Sequence, residues 1–581
     1  MQLSLTKALT LLACTLLSAA TGPTKTVKRA DSTQFVSTQG TKFFVNGSEF
    51  PFIGTNAYWL QALNEEQDII NTFSNISALG IRVVRTWAFN DVTEIPETGT
   101  WFQLIANGTT SINNGTNGLQ KLDMILKHAE SFGIYVVLTL TNNWSPSATD
   151  NLTSSIDDLK SSVQSRDVVE TFNSSRPRNF LSNDYGGMDV YVRQFGLKNH
   201  DDFYTNDTIL NSFMNYTTQI VTRYVNSPSV FSWELANDAR CNSSVAASPS
   251  CNPQTVTKWH EIVANHVKSL DPNHLVSSGT QGFLCVGCPK LNPQPTSSTQ
   301  PSARAVVGRR SVVKPLTRER IIQDRNAQWK RNKALLPKSE VQEREEGIRV
   351  RGRWVSTPTR RQSSSQGVGS AFDGSQGVDS EDILGIQNIA FSTFQLFPDQ
   401  NTYGPDDPSL SPFNNTLQTG INWITTHGQI GQLFNKPVSL LGFGLVTQTN
   451  APDFVPFNST IAPFAPDATS TAATTKASSA ADANSTQTFG VTDSEQDTAY
   501  ASWLSAGIVS GVSGLIQYQW SQGNLTTSPN TAISPNNDTT GESSNDDTTG
   551  ESPNDGYSIQ GVGEDTVQSI LQNAVQSVSS T

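Results

Sequence analysis

Short apolar runs that end in polar residues alternate along this 581-residue chain with longer segments in which apolar residues recur every three or four positions. The longer segments predict amphipathic helices, as at residues 119–132 and 256–270. The short runs predict eight strands, at residues 52–56, 83–87, 135–142, 230–237, 274–278, 389–397, 438–443 and 514–520. Eight strands joined by helical crossovers predict an α/β fold, a (β/α)8 TIM barrel, in which the carboxyl ends of the strands carry the chemistry.

Four stretches interrupt the alternation and are predicted to be long low-complexity insertions, at residues 145–183, 294–380, 448–497 and 526–556. The first is polar, the third is dominated by Ala, Ser and Thr, and the last repeats Asp-Thr-Thr-Gly-Glu-Ser. These three compositions are typical of disordered chain, and the last two of O-glycosylated chain. The second stretch differs, because residues 304–361 hold 17 Lys and Arg against 6 Asp and Glu. That basic run is a solvated or anion-binding surface, or else non-coding sequence retained in the gene model.

The amino terminus has the pattern of a secretory signal peptide over residues 1–20, where a basic residue precedes an apolar run and small residues follow it. Lys28-Arg29 predicts a dibasic processing site, so residues 21–29 would form a short propeptide and residues 30–581 a single barrel domain. No later stretch is apolar for long enough to span a bilayer. The sequence therefore predicts a secreted, extracellular protein with no membrane partner.

The composition also favours an extracellular glycoprotein. The net charge of -12 gives no reason to expect nucleic acid as a partner. Sequons for N-glycosylation, which mark exposed backbone in a secreted protein, occur at Asn46, Asn75, Asn107, Asn114, Asn151, Asn173, Asn206, Asn215, Asn242, Asn458 and Asn524.

Cysteine usage agrees with this compartment. Cys14 leaves with the signal peptide, and the remaining cysteines are Cys241, Cys251, Cys285 and Cys288. An even number of cysteines in an oxidising compartment favours two disulfides, with Cys241 paired inside this group. Zinc ligation by the four is the rival interpretation, but the pairs lack two regular knuckles. We therefore expect no metal site.

Five motifs occur in order along the barrel pattern. They are Gly-Ile-Arg-Val-Val-Arg-Thr-Trp-Ala-Phe-Asn at 80–90, Leu-Thr-Asn-Asn-Trp at 140–144, Asp-Tyr-Gly-Gly-Met-Asp at 184–189, His-Asp-Asp-Phe-Tyr at 200–204 and Trp-Glu-Leu-Ala-Asn-Asp-Ala-Arg-Cys at 233–241. In these motifs the chain resembles fungal endo-β-1,4-mannanases of glycoside hydrolase family 5. The resemblance implies a (β/α)8 barrel that hydrolyses β-1,4-mannan with retention of configuration and without a cofactor. We also expect a monomer.

The two catalytic positions implied by the resemblance are altered. A retaining glycosidase needs two carboxyls about 5 Å apart, one to protonate the leaving oxygen and one to attack the anomeric carbon. The family's acid/base Glu directly follows the Asn that ends strand four, and Asp238 stands there, one methylene shorter. The nucleophilic Glu directly precedes Phe-Gly at the end of strand seven, and Gly442 stands there without a side chain. The resemblance therefore implies a catalytically impaired protein.

Other positions of the implied site have lost ionisable or polar groups as well. The family's His-Leu-Tyr on strand six is Gln395-Leu396-Phe397 here, its Trp on strand eight is Tyr518, and its Glu after strand five is Gln281. Gln395, Phe397 and Tyr518 are still expected to line the substrate cleft. The retained residues, which suit shape and sugar stacking, are Arg85, Trp87, Trp144, Asn237 and Trp520.

Three functions stay open at this point. The preferred one is a secreted mannanase-family protein with little or no hydrolytic activity that keeps glycan binding in its cleft. The second is an active glycoside hydrolase with Asp238 as the acid and Asp399 as the base. The third is a non-enzymatic cell-wall or surface glycoprotein.

Several of these residues also have a purely structural interpretation. Glu234 would lie roughly 13 Å below the rim of the barrel, so an ion pair inside the barrel is expected for it. Arg85 is ambiguous, because at its strand end it would orient the nucleophile, but with Gly442 opposite it is expected to face only water or ligand. The tryptophans are either sugar platforms or ordinary core.

Overall fold

In the computed structural model the described residues are 35–147, 180–293, 348–350, 353–355, 369–460, 462–464, 489–534, 549–559 and 564–579. Eight parallel strands form one sheet: Phe52–Asn56, Val83–Trp87, Tyr135–Thr139, Val230–Glu234, Leu275–Ser277, Ser392–Leu396, Val438–Phe443 and Gly514–Gln517. Each strand pairs with the next in the chain, and strand eight pairs with strand one, except between strands five and six. There a parallel bridge between Ser277 and Phe391 closes the ring. The predicted (β/α)8 TIM barrel is therefore confirmed.

Helices that begin and end at recognisable residues surround the barrel. The helix Asp493–Ser510 begins with a capping box between Thr492 and Glu495 and ends at Gly511, whose positive φ of 78° suits glycine. The other described helices are Glu66–Ala78, Leu119–Phe132, Met188–Gln194, Asp202–Thr205, Asp207–Tyr224, Pro253–Leu270, Ser380–Leu384, Pro412–Phe434 and Glu564–Ser579. Short 3₁₀ helices lie at Leu60–Ala62 and Ala451–Asp453, and peripheral strands lie at Asp91–Val92, Gln103–Ala106, Thr109–Ile112, Leu525–Thr526 and Thr549–Gly550.

The amino-terminal end of the barrel, here called the base, is closed by an aromatic cluster. An antiparallel sheet of strands Ser37–Gln39, Lys42–Val45 and Ser48–Glu49 precedes strand one. It carries two phenylalanines that pack against three more at the starts of barrel strands. The rings meet mostly edge to face, with centroids about 5 to 6 Å apart, an arrangement that aromatic pairs favour. The five buried phenylalanines are Phe43, Phe50, Phe52, Phe231 and Phe391.

Three strands end three residues earlier than their apolar runs predict, at Thr139, Glu234 and Gln517. Beyond the first two ends the chains stay neighbours through a bridge between Asn142 and Asn237 and through backbone hydrogen bonds such as Asn237 N–H to the carbonyl of Thr141 at 2.8 Å. A side-chain hydrogen bond from Asn237 to Asn142 adds to them. These bent segments line the carboxyl end of the barrel, here called the mouth.

The stretches predicted as insertions include chain that packs on the barrel. Phe372 and Phe454 are buried, and the rings of Phe464 and Phe489 stack with centroids 4.1 Å apart. From the last stretch, Thr526 donates its backbone N–H to Asp68, and Ile533 is buried. The boundaries drawn at 294–380, 448–497 and 526–556 therefore take in structured chain, because short apolar groups inside polar sequence were enough to dock it.

The remaining parts of the domain prediction lie largely outside the described residues. These are the signal peptide 1–20, the propeptide 21–29, most of 145–183 and nearly all of the basic run. In the compact unit of residues 295–365, the described part is an antiparallel pair of strands, Ile348–Val350 and Arg353–Val355. Among the helices that the structure describes, none is both long and apolar enough to cross a membrane.

Candidate active site

An ion pair buried inside the barrel joins strands two and four. Arg85 donates from Nε to Oε2 of Glu234 at 2.9 Å and from Nη2 to Oε1 at 2.5 Å, and both side chains are almost fully buried. Thr139 also donates to Glu234, at 3.2 Å. The ion pair expected for Glu234 is confirmed. The expectation that Arg85 faces only water or ligand is wrong, because Glu234 takes the place of the missing carboxylate.

Asn237 connects this pair to the ends of strands three and six. Its Oδ1 accepts from Arg85 Nη2 at 2.8 Å and from Gln395 Nε2 at 2.9 Å, and its Nδ2 donates to Asn142 at 2.9 Å. Two predicted cleft residues, Asn237 and Gln395, are thus brought together. Their polar groups are directed to each other, which holds the floor of the mouth in one arrangement.

Asp238 has a buried carboxyl that is already engaged. Its Oδ2 accepts from Arg240 at 2.6 Å, from Trp144 Nε1 at 2.7 Å and from Gln281 at 3.2 Å. Its Oδ1 has no hydrogen-bond partner among the described residues. Burial raises the pKa of this carboxyl, and the Arg240 guanidinium opposes that rise. The backbone at Asp238 has a φ of 60°, uncommon for a residue other than glycine.

Aromatic rings hold Arg240 in place beside Asp238. Its guanidinium carbon lies 5.0 Å from the ring centroids of Trp144 and Phe283 and 5.3 Å from that of Phe457. Such cation–π contacts strengthen when water is excluded. Arg240 is nearly fully buried, so its guanidinium is held beside the Asp238 carboxyl.

Gly442 occupies the end of strand seven and faces the mouth. It pairs in register with Gln395 on strand six. A Cβ at this position would lie 3.2 Å from Cζ of Phe397 and 3.8 Å from Cβ of Tyr518. The position that the resemblance assigns to the nucleophile is therefore surrounded by aromatic side chains. A glutamate there would also require the Phe397 ring to shift.

The aromatic residues predicted to line the cleft are all buried. Trp87 is 1% exposed and donates its Nε1 to the carbonyl of Ser182 at 2.9 Å. Phe397 and Tyr518 contact each other edge to face at 5.3 Å. Trp144 and Trp520 are also buried. Chain from two predicted insertions contacts Trp87 and Trp144, at Ser182 and Phe457. The burial fits the interpretation of the tryptophans as core, whereas sugar contact stays a prediction.

Two carboxyls at the mouth belong to residues with no predicted place in the fold. Asp555 accepts from Tyr518 at 2.7 Å and from Ser182 at 2.8 Å, and burial raises its pKa to about 6. Asp399 accepts the backbone N–H of Val446 at 3.0 Å, and burial raises its pKa to about 7. Asp399 is the base in the second function that the sequence leaves open. The sequence does not predict a site role for Asp555, because this residue lies inside the predicted insertion 526–556. The one available signal was the change from the repeat to Pro-Asn-Asp-Gly-Tyr at 553–557.

The four predicted cysteines form two disulfides, Cys241 with Cys251 and Cys285 with Cys288. The Cα atoms are 5.9 Å and 5.3 Å apart. The predicted disulfides are confirmed, and the zinc alternative is wrong because all four thiols are bonded to each other. In the described ranges no group of three or more ligating side chains is placed to hold a metal ion.

Comparison with known proteins identifies the relatives of the first half of the chain. The family model described as GH family 5 beta-mannosidase-like matches residues 33–286. Over these residues the chain is similar to members of glycoside hydrolase family 5. Asp238 lies inside the matched residues, and Gly442 lies beyond them.

Fungal mannanases are among the similar sequences. A probable mannan endo-1,4-beta-mannosidase A-2 of Aspergillus terreus is 34% identical over 252 residues, 43% of this chain and 52% of that protein. Mannan endo-1,4-beta-mannosidase A of Hypocrea jecorina is 35% identical over 280 residues, 47% of this chain and 53% of that protein. The chain thus spans about half the length of these relatives.

Solved structures share the fold across nearly the whole chain. The endo-1,4-beta-mannanase of Rhizomucor miehei superposes with a TM-score of 0.55 at 22% identity, covering 94% of this chain and 100% of that one. A hyperthermostable endo-1,4-beta-D-mannanase of Thermotoga petrophila gives a TM-score of 0.51 at 20% identity, covering 91% and 99%. At these identities the likeness supports the barrel fold alone.

Proposed function

We propose that the protein is a secreted β-mannanase-family glycoprotein that does not carry out the family's retaining hydrolysis of β-1,4-mannan. The observation that carries this proposal is the state of the two catalytic positions. Asp238 is paired with Arg240, and Gly442 offers no group to attack an anomeric carbon. Without a nucleophile no glycosyl-enzyme intermediate forms at this position.

The surroundings of the two positions support the same conclusion. An acid catalyst must lie within hydrogen-bond reach of the leaving oxygen, and Asp238 is nearly fully buried under Trp144 and Arg240. The Arg85 guanidinium donates to Glu234 and Asn237. Any remaining affinity for substrate therefore depends on the shape of the mouth. The ligand that we propose is β-mannan or a related polysaccharide.

The extracellular location is supported by the sequons and the disulfides. Seven sequon asparagines in the described ranges are exposed: Asn46, Asn75, Asn107, Asn114, Asn215, Asn242 and Asn524. Glycans at these positions would not disturb the core. Two disulfides fit an oxidising compartment. A monomer without nucleic-acid partners stays a prediction, as does the alternative role as a cell-wall glycoprotein.

The raised pKa of Asp399 favours a second candidate, an inverting hydrolase in which this carboxyl activates water. Its Oδ2 already accepts a backbone N–H, so the first proposal is preferred.

The test is the rate of β-1,4-mannan and aryl mannoside hydrolysis by purified wild type, Asp238→Asn and Asp399→Ala. We expect rates about a millionfold below those of an active fungal mannanase, the typical loss when a nucleophile is absent. We also expect no difference among the three proteins, because any residual rate comes from contaminants. A measurable wild-type rate that drops in either variant would show that the chain is an active hydrolase.

A further inference from the structure

We propose that residues 549–559, here called the strap, block the barrel mouth and that a β-1,4-linked glycan binds only when the strap is displaced. The inference rests on the proposed function, because it takes the mouth as the glycan site. The strap follows strand eight and precedes the helix Glu564–Ser579. From Ser552 to Ile559 every residue is buried.

The strap lies against the loop that leaves strand eight. Gln519 donates its side chain to the carbonyl of Pro553 at 2.6 Å, and its backbone N–H donates to Tyr557 at 3.3 Å. Ser552 donates its backbone N–H to the carbonyl of Gln522 at 2.9 Å. These hydrogen bonds are discrete attachments rather than part of the barrel ladder, so the strap can leave without breaking the sheet.

Tyr557 is the side chain that fills the mouth. Its ring is 1% exposed and lies 5.3 Å from the ring of Phe397 and 5.7 Å from that of Tyr518. Its hydroxyl accepts from Gln400 at 2.8 Å. A sugar ring that reached the end of strand seven would need the volume that this tyrosine occupies.

Gly442, in strand seven, and Gly444, just after this strand, permit the close approach of Tyr557. A Cβ at Gly444 would lie 2.5 Å from Cδ1 of Tyr557, closer than real Cβ contacts come. A Cβ at Gly442 would press on Phe397, which packs against Tyr557. The loss of a side chain at position 442 and the docking of the strap are thus parts of one packing arrangement.

The closed strap carries an internal penalty that makes displacement feasible. Asp555 is 5% exposed, and its Oδ1 has no hydrogen-bond partner in the described part of the chain. A buried polar oxygen without a partner destabilises the state that buries it. Opening the strap returns this oxygen to water. A glycan whose hydroxyl groups enter the mouth would therefore compete with a strap in which Asp555 Oδ1 lacks a hydrogen bond in the described part of the chain.

The test measures mannohexaose binding by calorimetry in the full chain. Tyr557→Ala and, independently, Gly444→Ala should both weaken strap docking, the second by placing a methyl group against the Tyr557 ring. If the open state is populated at about 1–10% in the wild type, each variant should bind mannohexaose about 10- to 100-fold more tightly. Phe50→Ala, a matched loss of a buried ring at the base, should leave the affinity unchanged.

Hydrogen exchange of the peptide that covers residues 549–559 separates the possible failures. Under the proposal, mannohexaose increases exchange of this peptide in the wild type. If the wild type binds as tightly as both variants while the strap stays protected, the strap inference is overturned. If exchange shows that the strap opens in both variants but none of the proteins binds mannohexaose, the glycan ligand of the proposed function is wrong, and this inference falls with it.

Discussion

The base and the mouth of the barrel are both closed by the protein's own chain, but with different chemistry. At the base five phenylalanines pack together, and the Arg82 guanidinium carbon lies 4.7 Å from the centroid of the Phe50 ring. At the mouth, aromatic rings share the space with the buried carboxyls of Asp238 and Asp555, each with one oxygen lacking a partner in the described structure. The ring cluster at the base is hydrophobic core that stabilises the barrel. The mouth, where the implied catalytic positions lie, is filled by other side chains.

The largest expected difference between the two ends is in global stability. Phe231→Ala removes a ring from the base cluster and should lower the free energy of unfolding by about 3–5 kcal/mol. Tyr557→Ala should lower it less, because the strap can open without unfolding the barrel. Denaturant unfolding measures the first effect, and hydrogen exchange measures local opening of the strap. Equal global losses for the two variants would mean that the mouth is as integral to the fold as the base.

The second difference is in pH dependence, because the mouth holds buried carboxyls whereas the five rings of the base cluster do not titrate. Asp555 faces Tyr518, Tyr58, Tyr557 and Asp184, and burial raises its pKa from 3.8 to about 6. Between these values the native chain holds a proton that the unfolded chain releases. The contribution of this group to stability is therefore complete below about pH 4 and is lost as the pH rises to about 6.

Asp555→Asn removes this dependence while keeping the shape. The unfolding free energy of the wild type, less that of the variant, should fall by up to about 3 kcal/mol from pH 4 to pH 7. Asp399 titrates in both proteins, so its effect cancels in the difference. Denaturant midpoints at several pH values provide the measurement. A difference that does not change with pH, or that rises, would show that Asp555 is ionised in the native chain.

The smallest effect is expected at the outer face of the base. Lys42 and Glu49 form an exposed ion pair at 2.6 Å on the amino-terminal sheet. Exposed pairs contribute little, so Glu49→Gln should change the unfolding free energy by less than about 0.5 kcal/mol. Thermal unfolding at low and high salt checks this. A loss as large as that of Phe231→Ala would mean that this ion pair stabilises the base as much as a buried ring does.

The sequence was most informative where the pattern is periodic. Alternating apolar runs predicted all eight barrel strands, and the position of Glu234 below the rim predicted its ion pair. Arg240 escaped notice because its contact with Asp238, two residues away, depends on the left-handed backbone at Asp238. The docking of the strap was not predicted, because its few docking residues, among them Tyr557, follow a repeat of Asp, Thr, Gly and Glu. The local composition of such a segment does not show that it packs against the barrel.

The burial of the tryptophans was likewise out of reach from the sequence. Trp144 has the same neighbours in the chain whether it faces a sugar or Phe457, and the 4.7 Å contact between these rings joins residues more than 300 positions apart. Such pairings are set by loops whose path the apolar pattern does not encode. They decide whether the mouth is a cleft or a filled surface.

The most direct test of the central claim, that no nucleophile remains at the mouth, is the intact mass of the protein after reaction with a slow mannosyl donor. A 2-deoxy-2-fluoro mannosyl fluoride traps the glycosyl-enzyme of a retaining mannanase, and an active fungal mannanase serves as the positive control. We predict that this chain keeps its original mass while the control gains one mannosyl unit. A gain of one mannosyl unit, mapped to any carboxyl at the mouth, would contradict the account.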